Sequence, residues 1–168
     1  MKLTLEEATT GDAPALAKLR TAVAERLTLD FGHGHWSSKA SEKGVLFSMR
    51  TSRVFVARRG GKIIATLQLA TKKPWAIDKS YFSDCRRPLY LTGMAVEPSL
   101  QRHGIGRAML EDVRRIARAW PADAVRLDAY DSAGGAGEFY AKCGFREVGR
   151  VTYRKTPLIY YELLLQDD

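Results

Sequence analysis

Residues 89–130 constrain the fold most strongly, because they have the pattern of a strand, a long helix and a second strand. The first predicted strand, residues 89–96, ends at Glu97-Pro98. The predicted helix carries apolar residues at helical spacing until Pro121 ends it. These apolar residues are Ile105, Met109, Val113, Ile116 and Trp120. The run Ala124–Tyr130 is typical of another strand, and this order of elements predicts the α/β class.

The remainder of the chain predicts further strands and helices on both sides of this unit. Before it we expect a short strand at Leu3 and Leu5, a helix starting near Asp12 and Pro14, a second short helix within residues 38–49, and a hairpin of strands 54–57 and 63–69. After it we expect a short helix at 137–142 and two strands, 146–153 and 158–165. No repeat or linker interrupts the pattern, which predicts one domain over residues 1–168.

Composition places the chain among ordinary globular proteins. The hydrophobic fraction is 45% and the charged fraction 27%, which suits a packed core rather than a disordered chain. No apolar run approaches the roughly 20 residues that span a bilayer, and acidic residues follow Met1 too soon for a secretory signal. Two cysteines, Cys85 and Cys143, are too few for a disulfide framework. We therefore expect a cytoplasmic protein.

The net charge of +8 predicts an anionic partner. The bases are scattered along the chain, and none of the common nucleic-acid-binding motifs is present. We therefore expect no nucleic-acid or membrane partner, and a phosphorylated small molecule is the favoured anion. His33 and His35 lie two residues apart in a glycine-rich loop without cysteine or carboxylate neighbours, so we predict no metal site.

The stretch QRHGIGRAML, residues 101–110, joins the first strand of the unit to its helix. The first amides of a helix lack internal partners and carry partial positive charge, which suits anions. Gly104 and Gly106 remove the Cβ atoms that would keep phosphate oxygens away, and Arg102, His103 and Arg107 add charge. The stretch is neither a Walker loop nor a dinucleotide fingerprint. Two readings stay open at this point: a flexible start to a helix, or a diphosphate cradle.

The same stretch resembles the Q/R-x-x-G-x-G/A signature of the GCN5-related N-acetyltransferase (GNAT) superfamily. The preceding MAVEP, residues 94–98, is similar to the family's strand and turn, and AGEFYAKCGF, residues 136–145, resembles its late A-x-x-F-Y-x-K-x-G-F segment. Both motifs occur in family order and at family spacing. The resemblance implies a mixed, mostly antiparallel sheet of six to seven strands, flanked by about four helices, with a splayed central strand pair.

The resemblance also implies a cosubstrate, acetyl-CoA, and a position for it. The pantetheine arm would pair with strand backbone, and the pyrophosphate would meet loop and helix amides. The implied cofactor-binding residues are Met94, Ala95, Val96, Gln101, Arg102, His103, Gly104, Ile105, Gly106 and Arg107. Tyr140 matches the family's tyrosine near the sulfur and would act as the general acid. A phenol and a thiol have ordinary pKa values of about 10 and 8.5, so this proton transfer is expected to be nearly balanced.

Two departures from the family pattern leave the general base open. The late motif often begins with Asn three residues before its Ala, where this chain has Ala133. Some members carry a glutamate on the strand before the signature, but residues 90–96 hold no carboxylate. The candidates for the base are Glu97, Asp128, Asp131 or water. Glu97 is alternatively a turn residue, and Asp128 alternatively pairs with an arginine such as Arg126.

The predicted function is transfer of an acetyl group from acetyl-CoA to an amine of a small molecule or peptide. Four aromatic residues, Trp36, Trp75, Tyr81 and Phe82, are candidates for the acceptor pocket, or they pack loops onto the sheet. The bases at 72–73 and 86–87 favour an acceptor with an anionic group, or are ordinary surface. The alternatives are a non-catalytic acyl-CoA sensor, an acyltransferase with another acyl donor or a hydroxyl acceptor, and an RNA-binding domain. The chain is expected to be a monomer or a homodimer, in which the last two strands would pair between chains.

Overall fold

The computed structural model describes residues 2–165, so Met1 and residues 166–168 of the predicted domain lie outside the described residues. It contains seven β-strands and four α-helices. The strands are β1 (Glu6–Glu7), β2 (Arg53–Arg59), β3 (Lys62–Ala70), β4 (Pro88–Val96), β5 (Ala124–Tyr130), β6 (Arg146–Tyr153) and β7 (Thr156–Leu164). The helices are α1 (Ala13–Phe31), α2 (Glu42–Thr51), α3 (Ile105–Ala119) and α4 (Gly137–Lys142).

The strands form one mixed sheet in the order β1-β2-β3-β4-β5-β7-β6, which confirms the predicted fold class. β4 and β5 run parallel and pair at only three positions, from Pro88↔Ala124 to Tyr90↔Arg126. In contrast, β5 pairs with the antiparallel β7 along its whole length. β6 and β7 form an antiparallel hairpin within the chain, so these two strands are partners of each other.

By its internal contacts the chain divides into two compact units. Unit 1 comprises residues 1–70 and 92–113, and unit 2 comprises residues 71–91 and 114–168. In unit 1, α1 and α2 bury apolar side chains against β2 and β3. The buried residues of this cluster are Ala13, Leu16, Leu19, Val45, Val54, Val56 and Ile63. Gly60 and Gly61 adopt positive φ angles of 58° and 78° in the turn between β2 and β3, a conformation that glycine adopts without strain.

Unit 2 holds a buried ion pair that fastens the long 71–87 connection to the sheet. Arg126 on β5 and Glu162 on β7 are 3% and 2% exposed, and Arg126 Nε donates to Glu162 Oε2 over 2.9 Å. The guanidinium also donates to the Ser83 carbonyl over 2.6 Å and to the Tyr90 hydroxyl over 3.1 Å. Burial by itself lowers the pKa of Arg126, but hydrogen bonds to Glu162 and Tyr90 outweigh it and raise that pKa. The buried guanidinium of Arg126 therefore stays protonated and positively charged.

We expect Glu162→Gln to lower the free energy of unfolding by about 3–5 kcal/mol, because it leaves a buried cation without its counter-ion. Urea denaturation monitored by circular dichroism measures the loss. Asp123→Asn is the matched control, since it removes the carboxylate of an exposed ion pair, Arg87–Asp123, at 3.3 Å, and such pairs contribute about 0–1 kcal/mol. Equal losses in the two variants would contradict the role given to Glu162.

The predicted elements agree with the structure except near the N-terminus and in the first helices. Leu3 and Leu5 precede the first strand, which is Glu6–Glu7, because the backbone of Leu5 is held elsewhere: its amide donates to Asp112 Oδ2 of α3 over 2.7 Å. The second helix begins at Glu42, within the predicted range, and ends at Thr51, two residues beyond it. The Ser41 hydroxyl caps its start by accepting from the Gly44 amide over 3.1 Å. Within residues 2–165, the helices are too short or too polar to cross a membrane.

Candidate active site

The predicted anion-binding loop lies in unit 1, between the end of β4 and the start of α3. A short 3-10 turn at Pro98–Leu100 follows the strand, and its Glu97 carboxylate accepts from the Ser99 amide over 2.9 Å. The Gln101 side chain donates from Nε2 to the Val96 carbonyl over 3.1 Å. These contacts hold the end of β4 and the start of the loop in a defined conformation. The Val96 carbonyl oxygen thus accepts a hydrogen bond from the Gln101 side chain.

The loop backbone turns through two left-handed residues before the helix starts. Arg102 has a φ angle of 65° and Gly104 one of 84°. A Cβ atom at Gly104 would meet no other atom within 4 Å, so the space beside the first turn of α3 is open. Residues 101–104 and Arg107 are exposed. In contrast, Ile105 is only 1% exposed and anchors the helix. The charged side chains therefore surround an accessible helix start, which fits a diphosphate group.

Tyr140 lies in unit 2, on α4, and its side chain is buried at 8% exposure. Its ring contacts Phe145 and Tyr161 at centroid distances of 5.7 and 6.2 Å. The Arg114 guanidinium donates to the Cys143 carbonyl just after α4 over 3.1 Å and so holds the end of that short helix. Burial raises the pKa of Tyr140 well above its ordinary value, and the charges of Asp128 and Cys143 add to the shift. The phenol therefore keeps its proton, and transfer to a thiolate is less balanced than the ordinary pKa values predict.

Asp128 is the candidate base that the geometry favours. It lies on β5 in unit 2, half-buried, and burial raises the pKa of its carboxyl group. Among residues 2–165, no side chain or amide forms a hydrogen bond or ion pair with this carboxylate. The alternative in which Asp128 pairs with Arg126 is wrong, because that arginine binds Glu162. A carboxylate that is desolvated and has no hydrogen-bonding partner is a stronger base than an exposed one, because burial disfavours its charged form.

The other two candidate carboxylates are committed to local contacts. Glu97 binds both the amide and the hydroxyl of Ser99, which agrees with its reading as a turn residue. Asp131 Oδ2 lies 3.4 Å from the guanidinium of the exposed Arg150. These contacts occupy both carboxylates, so neither is favoured as the base.

An aromatic groove of about 690 Å³ lies in unit 2, between the 71–87 connection and the β6–β7 hairpin. Trp75, which is 84% exposed, and Tyr81 line it together with Lys73 and Tyr160. Tyr160 pairs directly with Asp128 across the β5–β7 ladder, and directly opposed residues in such a ladder point to the same face. The groove therefore adjoins the face of β5 that carries the candidate base.

The four predicted acceptor aromatics do not share one environment. Trp75 and Tyr81 line the groove, as expected for an acceptor pocket. Phe82 instead packs in the core of unit 2, with its ring centroid 5.2 Å from that of Tyr160. Trp36 belongs to unit 1, where it contacts Phe31 at 6.4 Å and donates to the Gly32 carbonyl over 3.1 Å. Of the predicted basic residues, Lys73 lines the groove and Arg87 pairs with Asp123.

Sequence reasoning missed one polar group, Arg20 on α1. The helix has Leu16 on its apolar face, and a residue four positions later lies on the same face. A charged side chain at such a core-facing position was the signal that could have identified Arg20. The structure places its guanidinium against the backbone of β4, where Nη2 donates to the Gly93 carbonyl over 2.9 Å.

Comparison with known proteins agrees with this fold. A family model for the acetyltransferase (GNAT) family matches residues 20–145, more than half of the chain. The ribosomal-protein-S18-alanine N-acetyltransferase of Escherichia coli is 21% identical with a TM-score of 0.71, and the alignment covers 99% of this chain and 96% of that one. An N-acetyltransferase from Staphylococcus aureus Mu50 is 16% identical with a TM-score of 0.72, covering 99% of this chain and 100% of that one.

A third similar structure, yncA from Salmonella typhimurium, was solved with its cofactor acetyl-CoA. It is 15% identical with a TM-score of 0.68, and the alignment covers 100% of this chain and 96% of that one. At these identities the structural likeness shows the fold alone, and a search of curated protein sequences finds no match. The family match rests on the segment that contains both the loop before α3 and Tyr140. This chain belongs to the acetyltransferase (GNAT) family.

Proposed function

We propose that the protein transfers an acetyl group from acetyl-CoA to a primary amine, by direct attack of the amine in a ternary complex. The observation that carries the proposal is the exposed, positively charged start of α3, with open space beside Gly104. Acetyl-CoA supplies a thioester whose carbonyl carbon an amine can attack. The amides from Gln101 to Arg107 would hold its pyrophosphate, and the backbone of Met94, Ala95 and Val96 would align its pantetheine arm. The same domain, over residues 1–168, would then carry both binding and chemistry.

The amine must be neutral to react, and an alkyl ammonium with a pKa near 10 is almost wholly protonated at neutral pH. We assign the removal of this proton to Asp128, directly or through a water molecule. When the C–N bond forms and the C–S bond breaks, Tyr140 donates its proton to the sulfur. The tyrosinate regains a proton from the nitrogen as the amide forms. The reaction thus yields the amide, CoA and one proton, which Asp128 returns to solvent.

A titration with CoA tests the binding part of this proposal. We expect Gly104→Val to raise the Kd roughly 10- to 100-fold, because losing one charge-assisted hydrogen bond costs about 1.5–3 kcal/mol. Isothermal titration calorimetry gives the Kd of the native chain and of the variant. Gly60→Val is the matched control, since Gly60 also has a positive φ angle and open space around its missing Cβ. It should carry the same backbone strain and leave the affinity for CoA unchanged.

Release of free thiol from acetyl-CoA in the presence of a panel of amines tests the catalytic part. Amine-dependent release supports an N-acetyltransferase. Binding of CoA without release for any amine would indicate an acyl-CoA sensor instead. Salt-dependent retention on RNA that CoA does not compete would favour the RNA-binding alternative and contradict the assigned role of residues 101–107.

A further inference from the structure

A polar cluster in unit 1 surrounds Gly93 on β4. Arg20 from α1 reaches the Gly93 carbonyl, with Nη2 at 2.9 Å from the oxygen. Gln68 on β3 lies beside it, and its Oε1 is 3.5 Å from the Thr92 hydroxyl and 3.3 Å from the Ser52 hydroxyl. The amide oxygen of Gln68 therefore faces these hydroxyls, which directs its amide nitrogen toward Gly93. Two elements, α1 and β3, thus bring two donor side chains, Arg20 and Gln68, to one point of β4.

Gly93 is required for this arrangement. Its φ angle is 61°, and a Cβ atom there would lie 2.8 Å from Arg20 Nη2 and 3.1 Å from Gln68 Nε2. Any side chain at position 93 would therefore displace the two donors. The glycine lets the backbone turn at this position, and the space that a Cβ atom would fill stays available to the side chains of Arg20 and Gln68.

The charge of this cluster is not balanced. Across residues 2–165, no carboxylate forms an ion pair with Arg20. Other arginines of unit 1 differ: Arg26 pairs with Asp30 at 2.9 Å, and Arg53 pairs with Glu7 at 3.1 Å. Burial lowers the pKa of Arg20, and no acidic group offsets this effect. A desolvated cation without a counter-ion is unfavourable, so an anion that arrived with a ligand would bind here with little competition.

The position of the cluster indicates which ligand brings the anion. Gly93 directly precedes Met94–Val96, the backbone proposed to align the neutral pantetheine arm. The anionic pyrophosphate is assigned to residues 101–107, so the cofactor leaves Arg20 without an anion. We infer that Arg20, with Gln68, binds a carboxylate on the amine acceptor and thereby selects amines that carry one. This inference rests on the proposed acetyl transfer and names its substrate class. The planar guanidinium can bind a carboxylate through two parallel hydrogen bonds.

Matched pairs of amines with and without a carboxylate test the inference. The pairs are glycine with methylamine, and phenylalanine with phenethylamine. For the native enzyme we expect kcat/KM to be more than about tenfold higher for the carboxylated member of a pair, since hydrogen bonds between charged groups are stronger than those between neutral ones. Arg20→Met should abolish this preference by raising KM for the amino acid much more than KM for the plain amine. Arg20→Lys should retain part of the preference.

Arg26→Met is the control variant, because Arg26 lies on the same helix in an exposed ion pair and should leave the preference intact. Equal losses for both members of each pair in Arg20→Met would overturn the inference, since Arg20 would then act on the reacting group or on the fold. A native enzyme with no preference for carboxylated amines would overturn it as well.

A binding measurement separates this inference from the proposed function. The side-chain Nε–H resonance of Arg20 is assigned by its loss in Arg20→Lys, and the protein is titrated with N-acetylglycine or N-methylacetamide. We expect a shift with N-acetylglycine alone, and an unmoved resonance overturns the inference whether or not CoA binds. Failure to bind CoA, measured by calorimetry, overturns the proposed function instead. If CoA binds and the resonance does not move, the proposed acetyl transfer is retained and only the preference for a carboxylated acceptor is rejected.

Discussion

Asp128→Asn is expected to lower kcat by about 10²- to 10⁴-fold, the usual contribution of a positioned general base. The amide has the shape of the carboxylate but cannot accept the proton of the ammonium group. Steady-state kinetics at saturating acetyl-CoA and amine measure the loss. Asp131→Asn is the control, because that carboxylate is half-buried like Asp128 but lies 3.4 Å from the guanidinium of Arg150. If the Asp128 variant retained the native kcat, the base would have to be a water molecule or another group.

The raised pKa of Asp128 sets the sign of two pH effects. The base must be ionised, so kcat/KM of the native enzyme should fall as the pH drops through this raised pKa, above the range of an ordinary aspartate. Burial also makes the charged form unfavourable in the folded state, so Asp128 destabilises the protein at pH values above its folded pKa. Asp128→Asn should therefore raise Tm at pH 7–8. The difference should vanish at low pH, where the carboxyl group is protonated in both the folded and unfolded states.

Tyr140→Phe should lower kcat by about 10²-fold or more, with the Kd for CoA unchanged. The substitution removes only the hydroxyl, so the ring contacts with Phe145 and Tyr161 remain. The departing thiolate would then have to take its proton from water. Single-turnover measurements of CoA release separate this effect on chemistry from effects on product release.

Tyr161→Phe is the control for Tyr140→Phe, since it deletes a hydroxyl from the neighbouring ring and leaves α4 in place. We expect near-native kcat in this control. Unchanged kcat in Tyr140→Phe would show that Tyr140 is a packed core residue and that the sulfur is protonated by solvent. A weaker affinity for CoA in that variant would instead point to a role in binding.

The start of α3 shows what local sequence was sufficient to predict. The apolar spacing after Ile105 predicted the helix, and Gly104 with its basic neighbours predicted an accessible, positively charged helix start. Strand β5 and helix α4 begin and end at the predicted residues. These features depend on hydrogen bonds and backbone conformations within a few residues, so neighbouring residue types determine them.

Contacts between distant residues were beyond the reach of that reasoning. Asp128 and Arg126 are two residues apart on one strand, which made an ion pair between them a natural alternative. In the fold, Arg126 instead pairs with Glu162, 36 positions later. The choice among three candidate bases therefore required the tertiary structure. Local pattern could not show which carboxylate was already paired, because pairing depends on strands that are distant in the sequence.

Residue patterns alone were sufficient to predict the class of fold, the order of elements, the glycine loop before α3 and the family resemblance. Three features required the packed fold: Asp128 is half-buried and has no hydrogen-bonding partner among residues 2–165, Trp75 and Tyr81 line a groove while Phe82 does not, and Arg20 meets Gly93, 73 positions away. The physical reason is that element formation follows short-range periodicity and backbone geometry. Burial, charge compensation and shifted pKa values arise only when remote segments pack together and exclude water.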